Sequence, residues 1–123
     1  MRTDNLRETL KQIVQRLVEG LQPEQIILFG SYAYGQPTEG SDLDIMIIVS
    51  ESGEPAHRRA QRAYGCVGAV GVPKDLVVLT HEEFERQAHV VTSLARRVKE
   101  KGTVLYERRE VHRDSQLADK KPA

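Results

Sequence analysis

Tryptophan is absent from the chain, and two Phe and four Tyr are its only other large aromatics. Such scarcity argues against a platform on which single-stranded nucleic acid would stack its bases. Cysteine occurs once, at Cys66, so no disulfide can form within the chain. That usage fits a reducing compartment. Charge of one sign is not in excess, since 18 Lys and Arg balance 18 Asp and Glu. Zero net charge excludes a global attraction to nucleic acid, while a local basic face remains open. No apolar run approaches the roughly 20 residues of a membrane span. The first residues, Met-Arg-Thr-Asp-Asn, carry no signal-peptide pattern. These absences predict a cytoplasmic protein with no membrane association and no direct nucleic-acid binding. A length of 123 residues suits one domain with a modest core.

What is present concentrates between Ile26 and Val49. An apolar run, Ile26-Ile27-Leu28-Phe29, leads into Gly30-Ser31, then a turn-rich segment, then Asp42-Leu43-Asp44-Ile45-Met46-Ile47-Ile48-Val49. The second run is β-branched and bounded by turn residues, which predicts a strand over 42–49. Side chains alternate along a strand, so Asp42 and Asp44 share a face with Cα atoms roughly 6.6 Å apart. Two carboxylates at that distance repel by roughly 2.5 kcal/mol at an effective dielectric near 20. A cation would relieve this, and oxygen ligands suit Mg²⁺ completed by substrate phosphates. Two aspartates can also hold a pair of metals, as in in-line displacement at phosphorus. Gly30 permits close backbone approach to a ligand, and a helical turn starting at Ser31 would offer N–H groups and a hydroxyl to an anion. A hairpin with an acidic turn explains the Gly and Pro but not two same-face aspartates heading a buried strand.

The string GSYAYGQPTEGSDLDIMIIV, with Gly-Ser, ten residues, then Asp-x-Asp, resembles the signature of the DNA polymerase β-type nucleotidyltransferase superfamily. The small size is similar to its minimal nucleotidyltransferase (MNT) branch, including Ser41 before the first Asp. The resemblance is strongest over 26–49, moderate over 74–80 and 97–106, and faint over 50–72. It implies an α/β (α+β) fold with a small mixed sheet flanked by helices. It further implies that Asp42 and Asp44 are metal ligands and catalytic, and that Gly30, Ser31 and Ser41 bind nucleotide. Val-Pro-Lys-Asp-Leu-Val-Val-Leu is similar to the family strand that carries a third acid, which would be Asp75.

Elsewhere, apolar residues at spacings of three and four predict a helix over 5–19. Asn5 with Glu8 resembles a capping box, with Thr3 and Asp4 as rival caps, and Gly20 suits the position just past the end. A strand is predicted over Gln25–Phe29. A helix from about Pro55 carries Arg58, Arg59 and Arg62, with a weak end because Gly65, Gly68 and Gly71 disfavour helix. Those arginines suit a solvated face, or phosphates or an acidic partner. Tyr64 and Cys66 are read as packing residues. A third strand is predicted over Lys74–Leu79, with Asp75, Val77 and Leu79 on one face. Thr80 and Glu83 form a capping box for a helix to about Ala88. A further helix over Ser93–Lys101 would bury Leu94, Ala95 and Val98, followed by a strand over Thr103–Tyr106. Thus 1–106 is predicted as one domain and 107–123, polar and mixed in charge, as a poorly ordered tail. His57, His81, His89 and His112 form no metal-ligand spacing with one another or with Cys66.

The resemblance implies Mg²⁺, in two ions, as cofactor and ATP as donor of AMP. Larger relatives carry an added acceptor-binding domain. MNT proteins of this size are typically MntA-like antitoxins of HEPN–MNT toxin–antitoxin modules, which adenylylate a tyrosine of a HEPN ribonuclease. The expected partner is therefore a HEPN-type toxin. Two alternatives stand beside this reading: neutralisation of the toxin by binding alone, and transfer to a small molecule of the aminoglycoside type.

Overall fold

A computed structural model describes residues 3–35, 37 and 40–108. Elements follow in the order α1 (Thr3–Leu21), β1 (Gln25–Phe29), β2 (Leu43–Val49), α2 (Ala56–Val67), β3 (Lys74–Thr80), α3 (His81–Ala88), α4 (Leu94–Lys101) and β4 (Thr103–Glu107). The four strands form one mixed sheet in the order β3-β2-β1-β4. β1 is antiparallel to both β2 and β4, whereas β2 and β3 run parallel. Parallel neighbours need a long crossover, and α2 lies in it.

Apolar residues line both faces of the sheet. On one, Leu43, Ile45 and Ile47 of β2 and Leu76 and Val78 of β3 meet α1 and α2 through Ile13, Leu17, Ala63 and Val67. On the other, Met46 and Ile48 meet Phe84 and Ala88 of α3 and Ala95 and Val98 of α4. This explains why β1 and β2 are apolar nearly throughout. The result is the mixed α/β architecture predicted above, with helices on both sides of the sheet.

Several boundaries differ from the sequence reading, each for a packing reason. α1 starts at Thr3, so Asn5 lies inside the helix and does not cap it. Gly20 also lies within α1, because Cys66 Sγ occupies the space a Cβ would need. Contact with α2 thus outweighs the roughly 1 kcal/mol that glycine costs a helix. The chain reverses instead at Gln22, with φ 50°. β2 begins at Leu43, so Asp42 stands just before the strand. Leu94 is 46% exposed, because it opens α4 on its outer side after the Ser93 cap. The expected capping box at Thr80 and Glu83 is present.

Arg59 is buried, with 7% of its surface exposed, and its two terminal nitrogens meet Glu83 at 2.7 and 3.0 Å. This ion pair ties α2 to the start of α3. Arg62 pairs with Glu54 at 2.6 Å on the surface. Neither arginine is therefore a bare solvated cation. β4 runs to Glu107, and Arg108 donates to Gln22 O at 3.0 Å and Ser50 Oγ at 2.9 Å. The remainder of the predicted tail, including His112, lies outside the described residues. No described helix is long and apolar enough to cross a membrane.

Candidate active site

The site is built where β1 ends and β2 and β3 begin. Phe29, last in β1, pairs with Asp44, and Gly30 follows with φ 77°. A Cβ at Gly30 would overlap Asp44 Oδ2 and stand 2.9 Å from its Cγ. Glycine is thus required twice, for the left-handed backbone and for the carboxylate packed against it. The N–H groups of Ala33 and Tyr34 both donate to Gly30 O at 3.0 Å, which closes the single helical turn predicted after the strand. The N–H groups of Ser31 and Tyr32 precede those bonds and lie at the turn's positive end. Ser31 is half-buried at its start.

Asp44 is half-buried as the second residue of β2, and Asp75 is exposed as the second residue of β3. They are in register across the parallel pair. Their side chains therefore leave the same face, about 4.8 Å apart at the backbone. Asp42, exposed, stands two residues before Asp44. Burial first, then Asp75, then Asp42, raises the Asp44 carboxyl above its ordinary 3.8. The ranking of the two acids follows distance, since the neighbouring strand is closer than two residues along the same one. Ser41, half-buried beside Asp42, already interacts within the chain. Gln36, Thr38 and Glu39 of the connecting loop lie outside the described residues.

Among the described residues, no three Asp, Glu, His or Cys side chains converge on a metal-binding geometry. The donor chemistry nevertheless fits Mg²⁺, because every group is a hard oxygen and Asp44 is held where its negative charge is disfavoured. His81 is elsewhere, 2.8 Å from Glu24 through Nδ1.

Two features here escaped the sequence reading. The Tyr64 hydroxyl accepts from the Leu76 N–H at 3.0 Å and donates to Asp75 Oδ1 at 3.4 Å. β3 is a sheet edge, so Tyr64 satisfies a backbone group that no strand covers. Nothing in the local sequence links positions 64 and 75. Beside the Gly30 turn, a cavity of ≈ 710 Å³ is lined by Ala33, Tyr34, Arg97 and Lys101. Arg96 and Lys99 of the same helix are tied to Glu100 and Glu85. Among the described residues, Arg97 and Lys101 have no such carboxylate partner, and their i, i+4 spacing was the available signal. Cavities of ≈ 280 Å³ around His81 and ≈ 600 Å³ over Leu6 and Leu10 hold none of the site acids.

Residues 7–105 match the model of the nucleotidyltransferase domain family, and the chain belongs to that family. A candidate protein adenylyltransferase of Methanocaldococcus jannaschii is 39% identical over 51 residues, which cover 42% of this chain and 51% of the relative. The match thus spans about half the length of that curated relative. A crystal structure of a candidate nucleotidyltransferase from Sulfolobus solfataricus superposes with TM-score 0.61 at 21% identity, covering 85% of this chain and 86% of the other. A toxin–antitoxin structure with AMP-PNP gives TM-score 0.56 at 21% identity, over 88% and 78% of the two chains. An Asp-to-Glu double variant of the MntA–HpeT toxin–antitoxin gives TM-score 0.53 at 19% identity, over the same 88% and 78%. These likenesses establish the fold.

Proposed function

We propose that the protein transfers AMP from ATP to a hydroxyl, and that the acceptor is a tyrosine of a HEPN-type toxin that it thereby silences. The observation that carries the transferase reading is the register of Asp44 with Asp75, with Asp44 packed against Gly30. A surface built only for binding gains nothing by keeping like charges together at one strand end. The Ser31 hydroxyl and the N–H groups of its turn meet phosphate oxygens. Arg97 and Lys101 bring positive charge to the same end. Asp42, Asp44 and Asp75 would hold Mg²⁺, in two ions, which when bound neutralises charge developing on the α-phosphoryl group. Asp75, the exposed acid at the sheet edge, orients the acceptor hydroxyl and takes its proton. The acceptor oxygen attacks the α-phosphorus in line, and pyrophosphate leaves.

ATP as donor is supported by the AMP-PNP present with one structural neighbour, and an antitoxin role by the toxin–antitoxin neighbours. The HEPN identity of the toxin follows from the family resemblance of the motif. The test is intact mass of a candidate HEPN partner after incubation with this protein and Mg-ATP. A gain of AMP units, absent with Asp42→Asn, supports the reading. A tight complex with unchanged mass and undiminished protection would replace it with neutralisation by occlusion.

A further inference from the structure

The phenol that touches Asp75 belongs to this chain itself. Tyr64 is 39% exposed, and its ring reaches from α2 around the open edge of β3. A phenolic oxygen has one proton to donate and two lone pairs to accept with. Here the proton is directed at Asp75 Oδ1, 3.4 Å away, and one lone pair is taken by the Leu76 N–H at 3.0 Å. The second lone pair remains for a nucleophilic attack. A bond of 3.4 Å is long, as acid–base contacts often are before substrate tightens them. Asp75 is also one strand spacing from Asp44, where the donor phosphate would be held.

We propose that Tyr64 is an acceptor in cis, so that the protein adenylylates its own Tyr64. This rests on the transferase reading given above. The Tyr64 oxygen forms a bond to the α-phosphorus of ATP, and the bond from that phosphorus to the bridging oxygen of pyrophosphate breaks. Asp75 takes the phenolic proton, and pyrophosphate leaves with the electron pair. Ala63 and Val67 on either side of Tyr64 are buried and fix the last turn of α2, while Gly65, directly after it, has nothing near its Cβ position and leaves the flank of the ring open. Once modified, Tyr64 can no longer donate to Asp75, and its AMP stands at the mouth of the site. Self-modification would therefore compete with transfer to any other acceptor.

The test uses the full chain with Mg-ATP, read by intact mass and by peptide fragmentation, with ATP binding measured by calorimetry. The expected result is one AMP unit localised to Tyr64. It should fall about a hundredfold or more in Asp44→Asn and disappear in Tyr64→Phe. An unmodified Tyr64 in protein that binds Mg-ATP overturns the inference, as does an adduct found only on another residue. Transfer to a partner protein with Tyr64 unmodified would overturn it while leaving the transferase reading intact. Failure to bind ATP at all would instead remove that underlying reading, and the inference with it.

Discussion

The two ends of β3 treat acidic side chains in opposite ways. At its start, Asp75 stands in register with Asp44, and the Asp44 carboxyl is pushed above its ordinary 3.8. At its end, Glu83 closes a capping box with Thr80 and receives two bonds from buried Arg59. The Arg59 guanidinium first, then the Thr80 N–H, brings the Glu83 carboxyl from 4.5 down to about 2. One end holds charge the fold does not compensate, as a group poised for an external cation does. The other compensates its charge internally and fastens α2 to α3. Substitutions at the two ends should therefore separate chemistry from stability.

The sharpest separation is Asp44→Asn. It keeps the side chain's shape and removes the charge that would face metal and phosphate. Transfer of AMP should fall by about a hundredfold to a thousandfold, the scale seen when one preorganised electrostatic group is lost. Chemical denaturation should show no loss of stability, measured beside an AMP-incorporation assay. A stable variant with undiminished transfer would dissolve the contrast between the two ends.

Arg59→Ala should do the reverse. Removing one partner of a buried pair typically costs 3–5 kcal/mol, because the remaining charge is left uncompensated. Glu83 keeps 29% of its side chain in solvent, so the low end, about 3 kcal/mol, is expected in urea unfolding. The pH dependence carries the same signature. Glu83 has a depressed carboxyl in the folded state, so its contribution is complete above 4.5 and is lost as pH falls toward about 2. Stability measured from pH 6 downward should drop across that window, and Glu83→Gln should flatten the drop.

The same division explains how much could be read from the sequence. The active end is contiguous in sequence. Gly30, Ser31, Asp42 and Asp44 lie within one strand-turn-strand segment, and Asp75 heads the apolar run Leu76-Val77-Val78-Leu79. Period-2 alternation alone puts Asp42 and Asp44 on one face, whereas Asp75 was reached through the family resemblance of its strand. The structural end is assembled from α2 and α3, 24 residues apart at Arg59 and Glu83. Arg59 looks no different in sequence from Arg58 or Arg62, and only packing decides which one is buried. Tyr64 is concealed in the same way, because its partners at 75 and 76 are defined by a sheet edge that no local pattern reports. Helix ends were displaced for the same reason. Gly20 signals an end by propensity, yet the Cys66 side chain makes use of its missing Cβ.

Gly30→Ala tests the join between turn and acid, with a smaller effect. A left-handed backbone costs a residue with a Cβ roughly 1–2 kcal/mol. The added methyl must also displace the Asp44 carboxylate. The expected outcome is a loss of about 2 kcal/mol in stability together with weakened ATP binding. Retained ATP affinity would show that the position of Asp44 against the turn is not needed for the nucleotide.

The smallest predicted effect is a gain in stability. A carboxyl whose folded value lies above its unfolded 3.8 binds its proton more tightly in the native state. Its stabilising contribution is therefore fully present below pH 3.8 and is lost as pH rises through the raised value. At neutral pH the ionised Asp44 opposes folding, through burial and through repulsion by Asp75 and Asp42. Asp44→Asn should thus stabilise the protein slightly at pH 7, and this advantage should vanish below pH 3.8. Mg²⁺ should remove the same penalty by another route, raising the melting temperature of the parent protein by mass action and leaving Asp44→Asn nearly unmoved. If Mg²⁺ stabilised both proteins equally, the cation would be acting elsewhere, and the uncompensated charge at the start of β3 would not be its site.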